Sequence, residues 1–364
     1  MNDYRLKLSI ILLLVVGSLR LMAQGQEQRE LQELQEVQGS MSCDDTLQGQ
    51  EADSASCRPS FGLDYSGEVQ TDLKRVRVVN LLELHADIPL SRKLSFQLAS
   101  LSTYSSDDRP LADDEQGYSN LDADNIPFAL TVAGFTWQFK EHHSLFAGIR
   151  RMDEDYFCSD GLAFFTNSSC GIFPTLSYNF NIATFPEAAW GIHYAYDNEK
   201  LCLQASLYNG EGNHRFTGRD NVFRLCPKSD GIYALGQAEY RYRGSRYFLG
   251  ASLHTEPDVR PTVWTHAEQA LLPNLTLLAA YGHAFGRNNA CNDFCGMGAI
   301  YNLKSTGFGV FTDYARIDGI DEWATEFICN LPLTSYLSIN PVLHIITTDG
   351  TTKCVGLLRV NISI

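Results

Sequence analysis

From Phe61 to the last residue, apolar and polar side chains alternate, and this period of two constrains the fold more than any other feature. Leu82, Leu84, Ala86 and Ile88 alternate with Glu83, His85 and Asp87, and Phe135, Trp137 and Phe139 with Thr136 and Gln138. Leu201, Leu203, Ala205 and Leu207 alternate with Cys202, Gln204, Ser206 and Tyr208. Tyr247, Leu249, Ala251 and Leu253 alternate with Arg246, Ser252 and His254, although Phe248 falls on that polar side. The chain ends Leu358-Arg359-Val360-Asn361-Ile362-Ser363-Ile364, still alternating. Successive strand residues point to opposite faces, so each run predicts a strand with one apolar and one polar face. About fifteen or sixteen such runs fit between turn signals, at about 19 residues each, and a membrane-spanning strand takes about 9–11 of them. The expectation is an all-β fold: a transmembrane antiparallel β-barrel of about 16 strands, porin-like in size.

Composition agrees. The mean hydropathy of −0.17 excludes a bundle of transmembrane helices, each of which needs about 20 apolar residues in a row. A barrel escapes that test because only every second residue meets lipid. The net charge of −15 argues against a nucleic-acid partner, which requires clustered positive charge. A soluble β-sandwich accounts less well for Tyr240, Tyr242, Tyr247, Tyr281, Tyr301, Tyr314, Trp323 and Tyr336, which sit at strand ends as interfacial girdles do.

The N-terminus sets the compartment. Arg5 and Lys7 precede an apolar run from Leu8 to Val16, and Leu21-Met22-Ala23 offers a cleavage point, so residues 1–23 read as a secretory signal peptide. Loss of Asp3, Arg5, Lys7 and Arg20 takes the net charge from −15 to −17. Residues 24–60 form a polar Gln/Glu-rich periplasmic extension. It reads either as a mobile arm or, through Leu31, Leu34 and Val37, as a short amphipathic helix. All ten cysteines follow the signal segment, with Cys43–Cys57, Cys158–Cys170 and Cys291–Cys295 as short-range pairing candidates. No cysteine group is accompanied by histidines at ligand spacing, so neither metal nor other cofactor is expected.

The order of several short segments resembles the carbohydrate-selective porins of the OprB family. These are Ser119-Asn120-Leu121-Asp122-Ala123, Gly148-Ile149-Arg150-Arg151 with the acidic turn Asp153-Glu154-Asp155-Tyr156-Phe157, and Phe164-Phe165-Thr166-Asn167-Ser168. Phe185-Pro186-Glu187-Ala188-Ala189-Trp190-Gly191, Gln204-Ala205-Ser206-Leu207-Tyr208-Asn209-Gly210 and Leu337 to His344 around Pro341 complete the series. Ile149 separates Gly148 from Arg150 where the family has them adjacent, His344 replaces a glutamine, and the last residue is Ile364 rather than an aromatic. The resemblance implies a Gram-negative outer-membrane pore passing sugars by diffusion, as a monomer or homotrimer surrounded by outer-membrane lipid. The runner-up is a general porin or a structural barrel.

Such a pore needs a constriction with groups that match hydroxyls, aromatic faces for sugar rings, and charges that orient the solute. The polar phase of the alternation nominates Glu83, His85, Asp87, Arg150, Glu239, Arg241, Arg246 and Glu326, with Arg151 beside them. Residues 153–186 form the longest stretch without strand character and are expected to fold into the lumen, with Tyr156, Phe157, Phe164, Phe165 and Tyr178 as stacking surfaces. An enzyme is not expected. The nearest approach to a catalytic pair is Ser252 with His254, which share a face.

Overall fold

The computed structural model describes residues 58–364, apart from Arg219 and Arg287. The signal segment, nearly all of the 24–60 extension and the Cys43–Cys57 pair lie outside the described residues. The strands are β1 (Ser60–Thr71), β2 (Val76–Ser91), β3 (Leu94–Ser105), β4 (Ala129–Lys140), β5 (His143–Arg150), β6 (Ala189–Asp197) and β7 (Leu201–Asn209). A two-residue pair, β8 (Phe216–Thr217) and β9 (Asp220–Asn221), interrupts the series. Then follow β10 (Ile232–Tyr242), β11 (Ser245–His254), β12 (Thr262–Leu272), β13 (Leu275–Ala284), β14 (Cys291–Leu303), β15 (Thr306–Ile317), β16 (Ile320–Pro332), β17 (Leu337–Thr348) and β18 (Thr351–Ser363).

All except β8 and β9 join into one closed antiparallel barrel of sixteen strands, each paired with its neighbours in the chain. Closure pairs β1 with β18 from Asp64↔Ser363 to Thr71↔Gly356, and Leu63 and Ile364 exchange backbone hydrogen bonds of 2.9 Å. The alternating residues at the carboxyl end thus form the seam that removes both sheet edges. One end of the barrel carries only short turns. The other carries two tight turns, Asp318-Gly319 and Asp349-Gly350, with positive φ at both positions as two-residue hairpins require, and the long connections 106–128, 151–188 and 210–231.

The outward face carries the apolar phase: Leu249, Leu253, Trp323 and Phe327 are exposed, while their neighbours Phe248, Ser252, Glu322 and Glu326 are buried. Outward aromatics mark both ends, with Tyr240 stacked on Tyr242 near the short turns and Tyr314 4.9 Å from Trp323 near the long connections.

Unequal strand lengths open the interior. β2 has 16 residues, whereas β5 has 8 and β6 has 9, and their last shared rung is Arg150↔Ala189. Ala129 to Val132 of β4 run on beyond that rung, so the chain leaves the wall partway along the barrel and segment 151–188 turns inside. At Gly148 a Cβ would lie 2.4 Å from Ala133 O, so the close backbone approach of β4 and β5 just before this exit needs glycine.

Segment 151–188 brings the core with it. Trp264, Leu278, Phe294, Phe311, Ile346 and Val355 point inward, out of register with a wholly polar lumen, and pack against Met152, Tyr156, Phe157, Leu162, Phe165 and Phe173. Ring centroids lie 5.0 Å apart for Phe157–Trp264, 4.7 Å for Phe173–Phe294 and 5.3 Å for Phe165–Phe311. Each fully buried aromatic of this kind contributes roughly 1.5–3 kcal/mol. The core therefore sits inside the barrel, between the plug and the wall from β10 to β18.

Candidate functional site

Inward carboxylates bracket the plug. Glu326 accepts the backbone N–H groups of Thr166 (2.8 Å) and Asn167 (3.0 Å) and the Thr166 hydroxyl (3.0 Å). Asp313 accepts Asn167 Nδ2 at 2.8 Å, and Glu268 accepts the Gly161 N–H at 2.9 Å and the Ser159 hydroxyl. Glu322 performs the same service for the 106–128 connection, accepting from the N–H groups of Glu115 (2.6 Å) and Gln116 (2.9 Å). Each sets carboxyl oxygens against backbone or amide donors in a setting shielded from water, where such bonds are stronger than in solvent.

What remains open lies on the other side of the plug. A cavity of about 880 Å³ separates it from β1, β2 and β18, with Ser66, Glu83 and Arg359 on the wall and Arg151, Asp153, Ser168 and Tyr178 opposite. A second, of about 460 Å³, is lined by Gln97, Gln138, Ser144, Arg150, Asp155 and Gln204. The second is edged mainly by charges and amides, whereas the first also carries the apolar side chains of Leu81, Leu121, Ile172 and Phe185 among its charged groups.

The predicted site residues fall into two clusters. Arg150 ends β5 and bonds Asp155 at 2.6 Å and Gln97 Oε1 at 3.2 Å, its guanidinium 4.8 Å above the Phe146 ring. Gln97 in turn donates to Asp87 at 3.2 Å. Arg151 bonds Glu154 at 2.7 Å and reaches across to Glu83 at 3.2 Å. His85, more exposed, lies 3.3 Å from Asp64. The second cluster joins Glu239 to Arg241 (2.7 Å) and Arg246 (2.6 Å), with Arg246 also 3.0 Å from Asp160 of the plug. Burial pushes the Asp155 carboxyl up to about 6 although Arg150 opposes it. Burial also works against the Arg151 charge, but Asp153, Glu154 and Glu83 outweigh it and hold the guanidinium protonated.

Three expectations need correction. Tyr156, Phe157 and Phe165 are buried, with rings consumed by the plug core, so they offer no stacking face to a solute. Glu326 is covered by the plug backbone that it holds, and Glu239 is enclosed by its two arginines; neither faces open pore. Cys158, Cys170, Cys291 and Cys295 are free thiols: Cys291 is buried on the inward side and Cys295 is exposed on the outward side of β14, which rules out a bridge between those two. Ser252 has no base, because His254 Nδ1 accepts the Glu256 N–H at 2.9 Å and Nε2 lies 3.3 Å from Gly210 O. The bracket acids Glu268, Asp313 and Glu322 were missed, as was Glu68, which accepts the Ser119 hydroxyl at 2.7 Å. Their only trace in the sequence is a carboxylate on the polar phase of a strand.

No family model matches the sequence, and neither does any curated protein. In structure the chain is similar to OprB of Pseudomonas putida. The high-pH form gives a TM-score of 0.72 at 16% identity over 84% of this chain and 94% of that one. The low-pH form gives 0.56 at 15% identity, covering 84% and 92%. A mutant of the Rh. blastica porin gives 0.59 at 10% identity, covering 84% of this chain and all of the other. At these identities the likeness is one of fold: a sixteen-stranded porin barrel.

Proposed function

We propose that the chain is a porin of the Gram-negative outer membrane, passing small neutral hydrophilic solutes, sugars foremost, by passive diffusion. The observation that carries this reading is the eccentric cleft between the plug and β1–β2–β18, where Glu83 faces Arg151 and charged, amide and hydroxyl groups stand among apolar side chains. Guanidinium, amide and carboxylate groups supply the donors and acceptors that replace water around sugar hydroxyls. With Glu83 on one wall and Arg151 on the other, the field runs across the cleft and orients dipolar solutes. Asp113, Asp114, Glu115 and Asp122 at the mouth disfavour anions.

A general porin without sugar preference is the second reading, and one observation favours it. Three of the aromatic residues expected to guide sugar rings, Tyr156, Phe157 and Phe165, are buried, so Tyr178 stands at the cleft without a continuous ring track. Liposome swelling separates the two. Swelling faster for sugars than for amino acids of equal size supports the first reading, and equal rates support the second. Swelling no faster than in empty liposomes rejects a pore altogether. Reversal potentials showing clear anion preference would reject the charge argument.

A further inference from the structure

The connection 210–231 does not sit over the barrel mouth. Its β8–β9 hairpin lies against the outside of the wall, where β5 and β6 stop short. Ile149 and Leu130 belong to the outward face, yet they are buried, because Val222 packs over them. The outward Trp190 donates from its indole N–H to Phe223 O at 3.0 Å, tying the hairpin down. The hairpin thus replaces missing barrel wall.

Its own outer surface is amphipathic. Phe128, Phe216 and Phe223 form a row with ring centroids 5.9 and 6.0 Å apart, and with Leu225 they are 42–58% exposed. This row continues the outward apolar belt of Phe135 and Ile192. Beside it stand cations. Arg215 shares its Nε with Asp220 (3.4 Å) and His214 (3.3 Å), yet 65% of its side chain stays exposed; Lys228 is exposed on the turn that follows the hairpin. Residues 214–228 hold Arg215, Arg219, Arg224 and Lys228 against one acid, Asp220, and Arg224 is paired with Asp230 just beyond them, in a barrel end otherwise rich in Asp and Glu.

We propose that this hairpin binds an anionic lipid of the outer leaflet, with its phosphorylated headgroup at Arg215 and Lys228 and an acyl chain along the Phe128–Phe216–Phe223 row. The inference rests on the outer-membrane reading above. The chemistry is ordinary: a guanidinium and an ammonium reach phosphate oxygens while aromatic faces meet hydrocarbon. A basic residue at a membrane surface favours the phosphorylated headgroup by roughly fivefold, so two together are worth roughly a thirtyfold preference for phosphorylated lipid.

Native mass spectrometry of the purified chain in detergent, titrated with bisphosphorylated lipid A, dephosphorylated lipid A and inorganic phosphate, tests this. The expected result is retention of the phosphorylated lipid roughly thirtyfold above the dephosphorylated form, lost in Arg215→Glu/Lys228→Glu and reduced in Phe216→Ser/Phe223→Ser. Equal retention by the charge-reversed variant overturns the proposal. So does competition by inorganic phosphate alone, which would mark a free-anion site. A change in oligomeric mass in the phenylalanine variant, with lipid retention intact, assigns the row to a second protomer instead. Lys228→Glu alone, at an exposed turn, keeps the question answerable if the double variant does not fold. Liposome swelling on the same samples distinguishes failure of the pore reading, which would abolish swelling in the unaltered chain, from failure of the lipid site, which leaves swelling unchanged.

Discussion

Glu326 and Thr166 stand 160 positions apart, yet Glu326 Oε1 accepts both the Thr166 backbone N–H, at 2.8 Å, and its hydroxyl, at 3.0 Å. One strand carboxylate therefore fixes the tip of the plug. Glu326→Ala leaves the Thr166 and Asn167 N–H groups buried without acceptors, while the Thr166 hydroxyl keeps His344 Nε2 at 2.9 Å, at a cost on the order of 3 kcal/mol. The expected outcome is a lower unfolding temperature together with a larger, noisier single-channel conductance. Glu326→Gln keeps one acceptor oxygen and should fall between. An Ala variant that matches the unaltered chain in both measurements would remove Glu326 from this role.

Arg151 spans the cleft to Glu83 at 3.2 Å while bonded to Glu154 at 2.7 Å. Arg151→Gln removes the cation and leaves Glu83, Asp153 and Glu154 with no guanidinium between them. The cation-over-anion permeability ratio should rise roughly fivefold, the ~1 kcal/mol of a hydrated contact pair. Glu83→Gln should shift the ratio the other way. Reversal potentials in a salt gradient read both, and shifts of the same sign would contradict this geometry.

The barrel was legible because contrast between faces survives wherever one face meets apolar surroundings and the other meets water. Leu249 and Leu253 stand out against Ser252, and strand after strand repeats the signal. The contrast fails where both faces are covered. On β17 and β18 the inward Val342, Ile346, Val355 and Leu357 are as apolar as their outward neighbours, because the plug dries that side of the lumen. Phe248, the one aromatic out of phase on β11, was the visible trace: it stacks on buried His266 at 3.8 Å. The infolded segment was legible as missing strand character, but its aromatics read equally well as solute contacts or as core. Only their partners, Trp264, Phe294 and Phe311, decide for core. The bracket carboxylates were hidden for a related reason, since nothing in a strand sequence tells a solvated acid from one that caps a distant backbone.

The connection 106–128 adds a pH dependence. Burial, reinforced by the Glu322 carboxylate and by Asp122, pushes Asp114 from its ordinary 3.8 up to about 7. Its Oδ2 accepts the Tyr118 N–H at 2.6 Å, which opposes but does not cancel this. The folded state binds the proton more tightly than the unfolded state between pH 4 and 7, so stability from this group is present at low pH and is lost as pH rises through 7. The connection should be held more tightly at pH 5 than at pH 8, with lower conductance noise at pH 5. Asp114→Asn should flatten that part of the profile, and a variant with an unaltered pH profile would assign the change to another group.

Removing residues 158–172 tests the plug as a whole. The segment carries Leu162, Phe165 and the backbone held by Glu268 and Glu326, so its loss widens the lumen and exposes Phe311 and Ile328 on the wall to water. Conductance should therefore rise while stability falls. Burying two large apolar side chains contributes roughly 3–6 kcal/mol, and the strand pairing that holds the barrel closed is untouched. Adding Glu268→Gln and Glu326→Gln to the deletion should recover part of the lost stability, because those carboxylates no longer have the backbone donors that offset their burial. Unchanged single-channel conductance in the deletion would mean that the segment does not limit passage, and the route for solutes would then have to avoid the Glu83–Arg151 cleft.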